Sequence, residues 1–148
     1  DPLVHYGCHF GRTIRAFCRV HTLLTNGVNR TMQIDLGRLS KGALDPTERI
    51  EHSVYERLLA LVPNLEERLN TGSNDELMYI ADMLNKGSAS ARSSDTRSLK
   101  SAIVDWITPP NVTLTPPLTR NVKTGRGFHH QRTGELLCPV NLDWDDPK

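Results

Sequence analysis

Aromatic side chains are scarce in this chain: three Phe, three Tyr and two Trp among 148 residues. So sparse a set argues against a platform of several exposed rings on which successive bases would stack. Cysteine is equally thin, with only Cys8, Cys18 and Cys138. An odd count without a dense framework reads as reduced thiols in an intracellular compartment, not as a disulfide scaffold. No apolar run approaches the roughly 20 residues that span a bilayer, and no secretory apolar region opens the chain. A membrane is therefore not among the expected partners. Signatures of catalysis are missing too: no nucleophile elbow, no dinucleotide-binding glycine fingerprint, no His-Glu-x-x-His and no Walker A loop. The leading expectation is a non-enzymatic protein with no cofactor.

Net charge is only +1, but it is unevenly placed. Residues 1–44 carry six Lys/Arg against two acids, residues 45–85 three against nine, and residues 86–148 nine against six. Basic ends flank an acidic middle, which permits a localised anion-binding face on a nearly neutral molecule. The competing reading is that ends and middle neutralise one another in the fold. A chain of this length buries roughly 70% of its unfolded surface, so one domain needs no staple.

Helical periodicity dominates the first hundred residues. Leu3, Tyr6, Phe10, Ile14, Phe17, His21 and Leu24 fall on one side of a first helix, Leu3 to about Leu24. Gly7 and Gly11 within it point to close packing against another backbone. Asn26-Gly27 reads as its stop, and residues 28–44 as a loop with a short turn near Met32–Leu36. Asp45 as N-cap, Pro46 at the first helical position and Glu48 three residues after the cap open a second helix. Its expected buried stripe is Ile50, Val54, Leu58 and Leu61, widened by Tyr55, Leu59 and Val62. Pro63 ends it. A short third helix follows from Asn64 to Asn70, and Ser73 and Glu76 form a second capping box. The fourth helix is expected to end at Gly87, with Ser88–Ser94 as a small-residue loop. Ser94 or Asp95 then caps a fifth helix that buries Leu99, Ala102, Ile103 and Trp106. Pro109-Pro110 and Pro116-Pro117 forbid helix and favour an extended path. The fold expected is all-α. A compact bundle of about five helices spans residues 1–107. A long irregular Pro- and Gly-containing arm, residues 108–148, packs on the same domain, anchored by Leu118, Val122, Phe128, Leu136, Leu137 and Trp144.

Three basic groups carry the leading functional expectation. Arg12, Arg15 and Arg19 would form one stripe on the first helix, facing phosphates along a groove. Lys86 precedes the serine-rich loop and Arg92 lies in it, with Arg97 and Lys100 beyond, where a helix N-terminus attracts anions. Arg120, Lys123, Arg126 and Arg132 crowd into thirteen residues with Gly125, Gly127, His129 and His130. Such a tail presents cations and backbone N–H groups to an anion at low steric cost. Phosphate contacts accumulate through counterion release, so convergence of these groups would make a nucleic-acid footprint. The alternatives are a solvated helix face, a flexible linker and an arm paired to the acidic middle.

Metal and catalytic readings are weaker. His5 and His9 are spaced i, i+4 with Cys8 beside them, and His129, His130 and Cys138 add ligands of the right type. Neither group has a finger spacing. Cys138 with His130 lacks a third member for nucleophilic catalysis. Asp143, Asp145 and Asp146 read as a solvated acidic end.

The blocks His5-Tyr-Gly-Cys-His-Phe-Gly-Arg12, Leu23-Leu-Thr-Asn-Gly27, Ile80-Ala-Asp82, Leu99-Lys-Ser-Ala-Ile-Val-Asp-Trp-Ile-Thr-Pro109, Arg126-Gly-Phe-His-His130 and Leu137-Cys-Pro139 resemble a family of mushroom-forming (basidiomycete) fungi that has no settled activity. The resemblance runs through nearly the whole chain. It implies many copies per genome and a chain that continues past Trp144, this segment being the N-terminal part. A start at Asp1 in place of Met fits a trimmed segment. Multicopy fungal families are often tied to mobile elements or chromatin, which favours a nucleic-acid role by association alone. The expectation is an intracellular, DNA- or RNA-binding module, nuclear if chromatin is the target. A protein-interaction or self-assembly scaffold is the alternative, and a metal-dependent enzyme a distant third.

Overall fold

The computed structural model describes residues 1–122 and 124–146, apart from the side chain of Ser101. The elements in order are α1 (Pro2–Thr13), α2 (Val20–Asp35), a 3-10 turn (Lys41–Ala43), α3 (Pro46–Leu61), α4 (Leu65–Thr71), α5 (Asn74–Ile107), a second 3-10 turn (Gly127–His129) and α6 (Gln131–Leu137). There is no strand among the described residues, and the fold is all-α. The chain divides into two compact units, Asp1–Ser94 and Asp95–Lys148.

In the first unit, the long first helix expected from periodicity is two helices. α1 closes where the Phe10 carbonyl accepts from both Ile14 N–H (2.9 Å) and Arg15 N–H (3.1 Å). Two distant guanidiniums then take carbonyls the helix leaves open: Arg57 donates to Thr13 O at 3.3 Å and Arg92 to Ala16 O at 2.6 Å. Those bonds satisfy acceptors that a continuous helix would have used itself. The break redirects the stripe. Phe10, Val20 and Leu24 stay buried, whereas Phe17 is 81% exposed and His21 is exposed.

α2 then runs straight through Asn26-Gly27 and takes residues 28–35 of the expected loop. Gly27 is there for clearance: a Cβ would lie 2.6 Å from Tyr55 Cε2. The actual stop is Gly37, at φ +68°, where Gly37 N–H bonds Ile34 O at 2.9 Å and Arg38 N–H bonds Gln33 O at 2.9 Å. α3 begins as expected, with Asp45 accepting from Glu48 N–H at 2.8 Å and Glu48 reaching back to Asp45 N–H at 3.2 Å. Its buried face is His52, Val54, Tyr55 and Leu58, while Ile50 faces solvent. At α5 only half of the expected box forms, Ser73 Oγ accepting from Glu76 N–H at 3.3 Å. Glu76 turns instead to Arg68, 2.5 Å away.

The core of this unit joins Phe10 of α1, Leu23 and Leu24 of α2, Leu58 of α3, Leu65 of α4, and Ile80 and Leu84 of α5. Truncating Phe10, fully buried, to Ala removes roughly 3–5 kcal/mol. α1 and α5 cross with almost nothing between them. Gly7 lies against the Leu84 backbone, Gly11 against Ser88, and Gly87 against Val4 O, Cys8 N and Gly7 Cα. Ser88 Oγ donates to Gly7 O at 2.8 Å, and Cys8 Sγ to Gly87 O at 3.2 Å. Gly87 is therefore no helix end, and Ser88–Ser94 is helix, not loop; its small side chains are what let α1 approach.

The second unit holds the rest of α5, an extended stretch and α6. Leu99, Ile103 and Trp106, expected to be buried, are exposed, Trp106 at 67%. Arg132 Nε donates to Ile107 O at 2.8 Å, at the C-terminal end of α5. Phe128 stacks on Trp144, ring centroids 5.9 Å apart, and Gly134 fits under the Trp144 indole. Leu118 and Trp144 are half-buried, whereas Val122, Phe128, Leu136 and Leu137 remain mostly exposed.

Candidate nucleic-acid interface

The connection between α1 and α2, Ile14-Arg15-Ala-Phe-Cys-Arg19, is the most chemically distinctive surface of the first unit. Arg92 fixes it. While one of its guanidinium nitrogens holds Ala16 O, the Cζ stands 5.3 Å from the Phe17 ring centroid. A cation at that distance is attracted by the ring quadrupole, and an exposed pair of this kind contributes about 0.5–1 kcal/mol. The ring is thus held at the surface with one face covered by a guanidinium.

Arg15, Phe17, Cys18 and Arg19 form one lip of a cleft of about 430 Å³. Arg19 is also the N-cap residue of α2, whose first turn has neither a side-chain cap nor an acid. Thr22 of that turn lines the cleft as well. The opposite wall is acidic and belongs to α3: Asp45, Glu48 and Glu51, with Ile50 and Val54 between. That wall is held in place. Asp45 and Glu48 are tied by their capping box, and Glu51 is fixed by Arg30 at 2.5 Å and Asn26 at 3.2 Å. Arg30 lies 3.8 Å from Glu48 as well, so its charge is spent on this wall. Arg15 and Arg19 make no ion pair or hydrogen bond through their side chains among the described residues.

Cys18 sits in the same cleft as a protonated thiol. Burial pushes it up from the ordinary thiol value, and nearby Glu51 adds to the rise, while Arg15 opposes both. Burial is the largest cause, so no thiolate nucleophile is prepared there.

The nine expected cations do not all meet. Arg12 lies in the last turn of α1 and is engaged in interactions of its own, as is Arg97. Arg15 and Arg19 are brought together, though by a connection and a helix start in place of one helical stripe. Lys100 and Arg120 are exposed in the second unit. Arg126 donates to Thr119 O. Arg132 holds Ile107 O and contacts Glu135 at 3.4 Å. Two of the tail arginines therefore serve the tail's own conformation, and Lys123 lies outside the described residues.

The metal candidates are dispersed. Among the described residues no three His, Cys, Asp or Glu side chains gather as a metal set. His5, His9 and His129 are exposed, and Cys8 is occupied with Gly87 O. His130 is buried: its Nδ1 accepts from Arg132 N–H at 3.1 Å, so Nε2 carries the proton and donates to Pro116 O at 2.8 Å. Cys138 Sγ donates to Leu142 O at 3.3 Å. The imagined Cys138–His130 pair is thus bonded elsewhere at both ends. Asp143 caps Asp145 N–H at 3.1 Å, and Asp145 accepts from Gln131 at 3.3 Å.

Periodicity does not reveal the exposure of Phe17, which a continuous first helix would bury. Its signal was an aromatic side chain with an arginine two residues to either side, Arg15 and Arg19. Arg92, expected among the cations of a serine-rich loop, lies on α5 and holds the α1–α2 connection instead. No helix is long and apolar enough to cross a membrane among the described residues. Residues 86–148, from the middle of α5 onward, match the model of a family of unknown function, DUF6698. No curated protein and no solved structure matches the chain.

Proposed function

We propose that the chain is a non-enzymatic, intracellular nucleic-acid-binding module whose footprint is centred on the α1–α2 connection. The observation that carries this reading is Phe17, 81% exposed, flanked by Arg15 and Arg19 and backed by the Arg92 guanidinium. Exposing a large ring costs burial that the core would have used, and here the exposed ring is surrounded by cations. Aromatic faces take bases, and unpaired guanidiniums take phosphates. The uncapped start of α2 adds positive potential in the same place. The reading carries a nuclear, chromatin-linked setting and a multicopy family of mushroom-forming fungi as further parts of the proposal.

The test is fluorescence anisotropy of labelled DNA and RNA at several salt concentrations, with wild type and an Arg15→Glu/Arg19→Glu variant. Binding that weakens with salt and falls at least ten-fold in the variant is expected. Absence of binding at low salt, or an unaffected variant, overturns the proposal. Arg126→Glu and Arg132→Glu, the obvious changes in the tail, are poor probes, because they break bonds to Thr119 O and Ile107 O.

A second reading, a protein-interaction or self-assembly scaffold, is favoured by one observation in the second unit. Leu99, Ile103 and Trp106 recur at i, i+4 and i+7 on α5 and all are exposed. An apolar helical stripe left in solvent is the usual form of a helix-in-groove contact. Concentration-dependent mass by light scattering, abolished by Trp106→Ala and unresponsive to nucleic acid, supports this reading over the first.

A further inference from the structure

We infer that the ligand of the Arg15–Phe17–Arg19 cleft is single-stranded nucleic acid, read one base at a time, and that the α3 acidic wall excludes the duplex. The inference rests on the nucleic-acid reading above and specifies its substrate class.

Three features converge on it. The first is the ring. A base inside a duplex has both faces stacked, and only an unpaired base can lie on Phe17. Arg92 covers one face of Phe17, at 5.3 Å, so the other face is the platform. The second is size. A cleft of about 430 Å³ is in the range that takes a small molecule, hence one nucleotide-sized group and not a helix with two backbones.

The third is charge. One lip has Arg15 and Arg19; the facing wall has Asp45, Glu48 and Glu51, with Arg30 offsetting one of their three charges. Capping bonds and Arg30 hold those carboxylates in position, so they cannot swing away from an approaching phosphate. A single strand can place its phosphates on the arginine lip and only a base toward the wall. A duplex carries about one charge per 1.7 Å along its axis, counted over both strands, and brings a second backbone against fixed anions. Repulsion on one side therefore selects against it as much as attraction on the other selects the strand.

The experiment compares labelled ten-nucleotide oligo(dT) and oligo(U) with a ten-base-pair duplex, titrated with the whole chain at low salt and across a salt series. Phe17→Leu and Phe17→Trp are carried alongside; the side chain is exposed, and circular dichroism checks that each variant keeps the helical signal. Tighter binding of the single strands is expected, with a log–log salt slope of roughly −1.4 for two phosphate contacts. Phe17→Leu should weaken single-strand binding roughly 5- to 150-fold, the range for losing one stacked base, while Phe17→Trp retains it. A duplex that binds as tightly as the single strands, or a Phe17→Leu variant that binds like wild type, overturns this inference and leaves the broader proposal standing. Failure of every oligonucleotide at low salt overturns both.

Discussion

Replacing Gly87 with Ala separates a crossing of two backbones from an ordinary glycine in a helix. In an exposed helix interior, Gly→Ala gains about 1 kcal/mol from propensity and from a narrower unfolded ensemble. At Gly87 the new methyl would fall on Val4 O, 2.7 Å from Cys8 N and 2.8 Å from Gly7 Cα. All three are backbone atoms of α1, so no rotamer change relieves the overlap. Overpacking a tight site costs about 1–3 kcal/mol even where side chains can adjust, and this site lies at or above the top of that range. Spreading the helices also weakens the Ser88–Gly7 and Cys8–Gly87 hydrogen bonds, about 1 kcal/mol each. After the propensity gain, a net loss of about 2–4 kcal/mol remains, which for a chain of this size lowers Tm by roughly 4–16 °C. Urea denaturation followed by circular dichroism reads it, with Ser90→Ala, on the exposed side of the same helix, as control. A Gly87→Ala variant as stable as wild type would refute the crossing and restore a loop over Ser88–Ser94.

Asp45→Ala removes the side-chain acceptor of the α3 capping box, the bond from Glu48 N–H, and should cost about 1 kcal/mol, visible as a lower urea midpoint at unchanged slope. His52 gives a pH dependence. It is 5% exposed, its Nδ1 finds no partner among the described residues, and burial above all lowers its pKa from the ordinary 6.5, with Lys41 and Arg30 adding to the fall and Glu56 opposing it. A depressed folded value means the unfolded chain binds the proton first. The contribution is therefore complete above about pH 6.5 and is lost as pH falls below it, toward the folded value. Measured between pH 7.5 and 5.5, wild type should lose stability relative to His52→Phe, which keeps a ring against Tyr55. Parallel curves for the two proteins would remove His52 as the cause. Glu56, lowered chiefly by its hydrogen bond to Lys41, acts only in more acid solution, as pH falls below the ordinary 4.5.

Legibility in the sequence follows the range of the interaction that decides each feature. The start of α3 was legible because Asp45, Pro46 and Glu48 act within one turn. The roles of Gly27 and Gly87 are not legible, because a glycine that ends a helix and one that admits a neighbour look alike along the chain. The difference lies in the Tyr55 ring and the α1 backbone, both remote in sequence. Gly37, with nothing near its missing Cβ and a positive φ, is the real stop. The break after Thr13 was hidden for the same reason. Its open carbonyls are met by Arg57 and Arg92, 44 and 76 residues further along. Arg15 and Arg19 were legible as charges, and their common cleft was not. Phe17 fell on the apolar stripe of a helix that ends before reaching it.

The same remoteness ties the candidate site to the helix crossing. Arg92 stands one turn beyond Ser88 on α5, so the crossing at Gly87 and Ser88 sets where its guanidinium arrives. From there it does two things at once, bonding Ala16 O and covering a face of Phe17. A lysine would keep the charge and lose the planar fork that lets one group do both. If Arg15 and Arg19 meet the phosphates as proposed, Arg92→Lys should leave the salt slope of binding unchanged. It should still weaken single-strand affinity several-fold, because the connection is no longer held in its bound form. If Arg92 acted merely as one more positive charge, the lysine variant would bind like wild type. If it contacted a phosphate directly, Arg92→Ala would flatten the slope by roughly 0.7. An affinity loss at constant slope is the outcome that assigns it to positioning Phe17.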